Sequence, residues 1–109
     1  MTEKRETMAR YGLHGKMIAQ PGQRVALAAL LLEAARGMDD VPGCEVYLIG
    51  LSEAEADAIW VTEVWRAKED HVASLALPAV QAVIARARPL IAGFGERFET
   101  VPLGGKGLT

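Results

Sequence analysis

The chain has 109 residues, a formal net charge of −2, 24% charged residues and 50% hydrophobic ones, a composition that builds one modest core and excludes a disordered polymer. That charge gives no electrostatic reason to expect a nucleic acid or an anionic membrane as partner. No apolar run approaches the ~20 residues of a spanning helix, and the lone Cys44 cannot close an internal disulfide, so a reducing cytoplasm is the expected location.

Residues 1–9 are rich in charge and lack an apolar period; they read as a flexible leader to one domain over residues 10–109. Tyr11 to Ala19 alternates as a first strand, with Gly12 and Gly15 marking a bulge or a close approach. Pro21-Gly22 turns the chain. From Gln23 to Gly37 apolar residues recur at spacings of three and four, Leu27, Leu30, Leu31, Ala34 and Ala35 among them, which predicts a helix with one buried stripe. Cys44 to Leu51 is a second strand, apolar at both parities, and therefore covered on both faces. The polar stretch Ser52–Asp57 is too short for a crossover, so the second and third strands form a hairpin.

The third strand runs through Ile59-Trp60-Val61-Thr62-Glu63-Val64-Trp65 and ends near Arg66. A helix is expected from Ala67 to Leu77 and another from Pro78, whose missing N–H costs nothing in a first turn. Pro89–Gly93 is read as a turn, and Phe94 to Leu103 as a fourth strand. A right-handed crossover places the second strand two positions from the first, with the third between them. The expected fold is α+β and ferredoxin-like, a four-stranded antiparallel sheet with the helices on one face. The opposite face is then an apolar patch larger than monomers tolerate, so a homodimer packed sheet against sheet is expected.

Val61, Glu63 and Trp65 share one face of the third strand because side chains alternate, and His71 follows one helical turn beyond the strand. No other stretch gathers a large ring with groups able to move a proton. His71 is a candidate base, since imidazole changes charge nearest neutral pH, or a surface residue beside Glu69 and Asp70. Glu63 is a candidate base if its face is covered, and an ordinary ion-pair partner if it is wet. Trp65 is either a stacking wall for a flat substrate or a core residue, and Tyr47 is a hydrogen-bond donor candidate. His14 is the spare histidine. Trp60, of opposite parity, belongs on the dimer face, and Arg66, Arg86 and Arg88 read as solvated. Two distant histidines without a third ligand make no metal site, and no glycine-rich loop opens a helix in dinucleotide fashion.

Pro42-Gly43, Glu63-Val64-Trp65, Pro78 with Gln81, and Pro89-Leu90-Ile91-Ala92-Gly93, in this order and spacing, resemble the antibiotic biosynthesis monooxygenase family over Tyr11 to Leu108. The resemblance implies a dimeric α+β barrel with a pocket between sheet and helices in each subunit, bordered by Trp65. Many members carry histidines where this chain has Ser74 and Ala79, which by the resemblance places Ser74 at the pocket; His71 shares a helix face with Ser74 and either does the same task from a different spot or has none. The haem-degrading branch pairs a helical histidine near Leu75 with an asparagine on strand one, and this chain contains no asparagine. The implied activity is a cofactor-independent oxidation of a small electron-rich aromatic, with no metal and no flavin. A non-oxidative binder or isomerase using the same pocket is the alternative.

Overall fold

The computed structural model describes residues 9–108; of the leader expected at residues 1–9, all but Ala9 lies outside the described residues. The strands are β1 (Tyr11–Ala19), β2 (Cys44–Leu51), β3 (Ala58–Trp65) and β4 (Ile91–Thr100). The helices are α1 (Arg24–Gly37), α2 (Lys68–Ser74) and α3 (Pro78–Ala87). The sheet is antiparallel throughout, in the order β2-β3-β1-β4, which is the ferredoxin-like arrangement expected from the short β2–β3 connection.

Two elements depart from expectation. α2 ends at Ser74 and not at Leu77, because Pro78 drives Leu77 into the extended region (ψ 135°). The intervening residues tighten into i to i+3 bonds, among them Leu75 N–H to Val72 O at 3.2 Å and Leu77 N–H to Ser74 O at 3.2 Å. β4 begins at Ile91, three residues before the expected Phe94. Arg88–Leu90 forms a 3-10 turn, and Gln20 N–H bonds Leu90 O at 2.8 Å, so the chain enters the sheet directly, with Ile91 opposite Ala19. Gly93 and Gly95 lie within the strand, Gly95 where the Lys16 stem crosses it. Strand pairing stops at Thr100, ahead of Pro102, which has no N–H to give.

β1 has the two expected peculiarities. Its register against β4 shifts between Gly15 and Met17. At Gly12 the end of β4 comes so close that a Cβ would sit 2.2 Å from Thr100 Oγ1. α1 starts without a side-chain cap, yet the guanidinium of Arg24, its first residue, donates to Ser52 O at 2.8 Å and Glu55 O at 3.1 Å, tying that end to the β2–β3 loop.

The core is divided. Leu27 and Leu31 of α1 pack on Ile59, Val61, Ala19 and Ala87, while Tyr11, Met38 and Trp65 form a second cluster toward the other end of the sheet. The helices cover the face carrying Tyr47, Ile49, Ile59, Val61, Glu63 and Trp65. The other face shows Leu48 and Phe98 60% and 53% exposed, which resolves the double-sided apolar pattern of β2: Ile49 turns to the core and Leu48 away from it.

Candidate active site

Glu63 and Trp65 reach the space between sheet and helices from the last turns of β3. Trp65 is fully buried and Glu63 only 8% exposed. The indole Nε1–H donates to Glu63 Oε1 at 2.9 Å. Beyond Trp65 the chain leaves the sheet, and its next residue is fastened at once. Arg66 N–H donates to Gly43 O at 2.7 Å, and its guanidinium makes two 3.1 Å bonds to the Asp70 carboxylate. Gly43 holds φ +85°, and a Cβ there would fall 2.5 Å from the Asp70 carboxyl carbon; only glycine satisfies both conditions. The first turn of α2 is therefore docked against the strand end, and the residue after Asp70 turns inward.

That residue is His71. Its ring packs against Tyr11 (centroids 5.4 Å) and meets Trp65 edge-on (5.5 Å, 67°). Its Nε2 lies 3.8 Å from Glu63 Oε1, beyond hydrogen-bond reach and within ion-pair distance when the ring is protonated. Ser74, also buried, donates its hydroxyl to His71 O at 2.6 Å and closes the last turn of α2.

Burial dominates the titration of these groups. Desolvation raises the Glu63 carboxyl above its ordinary value, against the Trp65 hydrogen bond and the charge of Arg97, which lower it. Desolvation also lowers the His71 imidazole; Arg97 and Lys68 push the same way, and Glu99 opposes them. Burial, with the nearby Glu63 carboxylate, holds the Tyr47 phenol far above its ordinary value, so it keeps its proton and remains a donor. The half-buried Cys44 thiol is pushed up to about 11, first by burial, which makes it an unreactive packing residue at neutral pH.

Tyr47, Glu63, Trp65, His71 and Ser74 border one cavity of about 580 Å³, whose remaining walls are mainly aliphatic: Met17, Leu31, Met38, Val80, Val83 and Ile84. Residues of both core clusters line it, so it occupies the space where the two halves of the core fail to meet. The size is ordinary for a site that encloses a small organic molecule. Trp65 borders the cavity without surface open to it; what it brings to the site is the N–H that holds Glu63.

A family model described as antibiotic biosynthesis monooxygenase matches residues 10–86. The chain belongs to that family. A crystal structure from Chloroflexus aurantiacus, provisionally described as an antibiotic biosynthesis monooxygenase, is 52% identical, with a TM-score of 0.84 over 93% of this chain and 100% of that one. A Caulobacter crescentus structure with the same provisional description is 18% identical (TM-score 0.81, 93% of this chain and 98% of that one). One from Deinococcus radiodurans is 22% identical (TM-score 0.74, 87% and 94%). The last two speak for the fold alone. No curated protein matches the chain.

Of the residues singled out in this family member's sequence, Glu63, Trp65, His71, Tyr47 and Ser74 all come together at the cavity. His14 does not. It lies on the opposite sheet face, stacked on Trp60 at 4.4 Å and 6° with Nδ1 2.8 Å from Thr62 Oγ1. The three arginines read as solvated part ways: Arg66 pairs with Asp70, Arg86 pairs with Glu33 at 2.8 Å, and Arg88 borders the cavity. Nothing in the sequence around Arg88 separates it from Arg86. Arg97 on β4 acts electrostatically on both Glu63 and His71, a role that rests on packing between strands and leaves no signal in the sequence around it.

Proposed function

We propose that this protein is a monooxygenase that oxidises a small electron-rich aromatic, a phenol or hydroquinone, with dioxygen and without metal or flavin. The observation that carries the reading is the meeting of His71, Glu63 and Tyr47 at one mainly apolar cavity of about 580 Å³ in a member of this family. In the proposed reaction neutral His71 takes the proton of the substrate hydroxyl, and the Glu63 carboxylate 3.8 Å away stabilises the imidazolium that forms. Tyr47 donates to a substrate oxygen, and Trp65 positions Glu63. The phenolate passes one electron to dioxygen. The phenoxyl radical and superoxide then join at a ring carbon bearing hydrogen, forming a C–O bond. Cleavage of the O–O bond, with loss of that hydrogen, leaves a carbonyl. One oxygen atom enters the quinone, and the other departs as water with two substrate hydrogens. The aliphatic walls keep water away from the radical pair.

The test is oxygen uptake by the purified, metal-stripped protein with a panel of naphthols, anthrones and quinols. Uptake with a stoichiometric quinone product is expected for at least one compound. No uptake with any, while a ligand binds and returns unchanged, would select a non-oxidative binder.

The working form in this proposal is a homodimer that buries the sheet face opposite the helices. The exposure of Leu48 and Phe98 there supports it, since that face would otherwise leave an apolar patch in water. Leu48→Asp is expected to convert the dimer to monomer or unfolded chain by sedimentation, because it buries a charge without a counter-ion. A folded monomer for the unmodified protein would overturn this part. A cytoplasmic site of action belongs to the same proposal, on the ground that the single Cys44 closes no internal disulfide.

A further inference from the structure

Among the described residues, most cations are engaged: Arg10 with Glu45, Lys16 with Glu55 and Glu96, Arg66 with Asp70, Arg86 with Glu33, and Lys68 and Arg97 with Glu99. The Arg88 side chain has neither an ion pair nor a hydrogen bond, the residue is exposed, and it borders the cavity. Its place in the fold puts it at the far end from His71 and Glu63. It opens the 3-10 turn leading into β4, whose first residue, Ile91, stands opposite Ala19 on β1, while Glu63 stands opposite Leu13. From Leu13 to Ala19 the strand advances about 20 Å at roughly 3.3 Å per residue. The cavity thus has a buried carboxylate at one end and an unpaired guanidinium at the other, with aliphatic walls between.

We propose that Arg88 binds an anionic substituent of the substrate, so that the cavity takes elongated aromatic acids with the hydroxyl at the His71 end and a carboxylate at the Arg88 end. A guanidinium presents two parallel N–H donors that match a carboxylate. Glu63 disfavours the reverse orientation, since it would set an anion against a buried carboxylate. The aliphatic middle has no polar group to satisfy a charge. The two ends together therefore select length, charge and direction. This inference rests on reading the cavity as the aromatic-binding site, although it does not require the bound molecule to react.

Calorimetric titration of the whole protein under nitrogen, with a naphthol and with the hydroxynaphthoate carrying its carboxylate on the other ring, tests it. The hydroxynaphthoate is expected to bind about tenfold more tightly, with the margin shrinking as salt is raised. Arg88→Gln should bring the ratio of the two affinities to about one, and Arg88→Lys should restore part of it. Arg36→Gln removes another arginine at a helix end, away from the cavity, and should keep the full ratio. Equal affinities in the unmodified protein, or a tenfold ratio that survives Arg88→Gln, would overturn the inference. If oxygen is consumed with naphthols while no acid preference exists, only the role of Arg88 fails. If neither compound binds and none is oxidised, the aromatic-site reading fails with it.

Discussion

Changing His71 to glutamine is expected to lower kcat for the oxygen-consuming reaction at least a hundredfold and to leave KM within a few-fold. A positioned general base contributes about 10²–10⁴ in rate, and glutamine preserves much of the size and polarity of the ring while losing the basic nitrogen. The pH profile separates this role from a structural one. Burial, together with the charges of Arg97 and Lys68 and against that of Glu99, disfavours the imidazolium. The neutral, proton-accepting form therefore persists to lower pH than in a free histidine, whose pKa is about 6.5. In the unmodified protein kcat/KM should rise with pH through a midpoint below that value and be flat at neutrality. In His71→Gln this acid limb should vanish while the thermal midpoint stays near that of the parent. An acid limb unchanged in position in the variant would transfer the base to Glu63, whose own value desolvation raises above that of an ordinary carboxyl.

Alternation is what exposes this group of side chains in the sequence. Parity in β3 put Val61, Glu63 and Trp65 on one side, and the register Tyr47 opposite Glu63 and Leu13 opposite Glu63 gathers them on the helix side. β1 and β2 were legible to their end residues because Pro21-Gly22 closes the first and Pro42-Gly43 and Ser52 bound the second. β4 was not, since Gly93 and Gly95 are equally the mark of a turn and of a strand crossed closely by a long side chain, here Lys16. Parity also shows that Tyr47 and Ile49 share a face without saying which face is covered; the packing of Ile49 against Leu27, Leu31 and their neighbours decides that. The inward turn of His71 depends on Asp70 binding the Arg66 guanidinium and lying against Gly43, a contact between two chain segments that no local pattern encodes. Arg88 is the clearest case: its meaning comes from having no partner, and partners exist only in three dimensions.

Trp65→Ala is expected to cost about 3–5 kcal/mol, the usual range for deleting a large buried aromatic. That is a large share of the roughly 5–15 kcal/mol that stabilises a domain of this size. The indole has no exposed surface, it anchors the cluster with Tyr11 and Met38, and it gives its N–H to a carboxylate that is itself buried. Removing it therefore opens a void beside the existing cavity and strips Glu63 of a hydrogen bond. Trp65→Phe separates the two losses: it keeps most of the ring and deletes the donor, at about 1–3 kcal/mol for the acceptor left unpaired. The pH dependence carries the sign. The Trp65 bond favours ionised Glu63, so its loss raises the carboxyl pKa further, and the deficit of Trp65→Phe should be largest at neutral pH. That deficit should shrink as pH falls and Glu63 becomes protonated in both proteins. Urea unfolding at neutral and mildly acid pH, with m unchanged, reads both effects. A Trp65→Ala loss below about 1 kcal/mol, far under the usual range for such a deletion, would show that the indole is not what holds this end of the core. A Trp65→Phe deficit independent of pH would show that its N–H does not support the charge on Glu63.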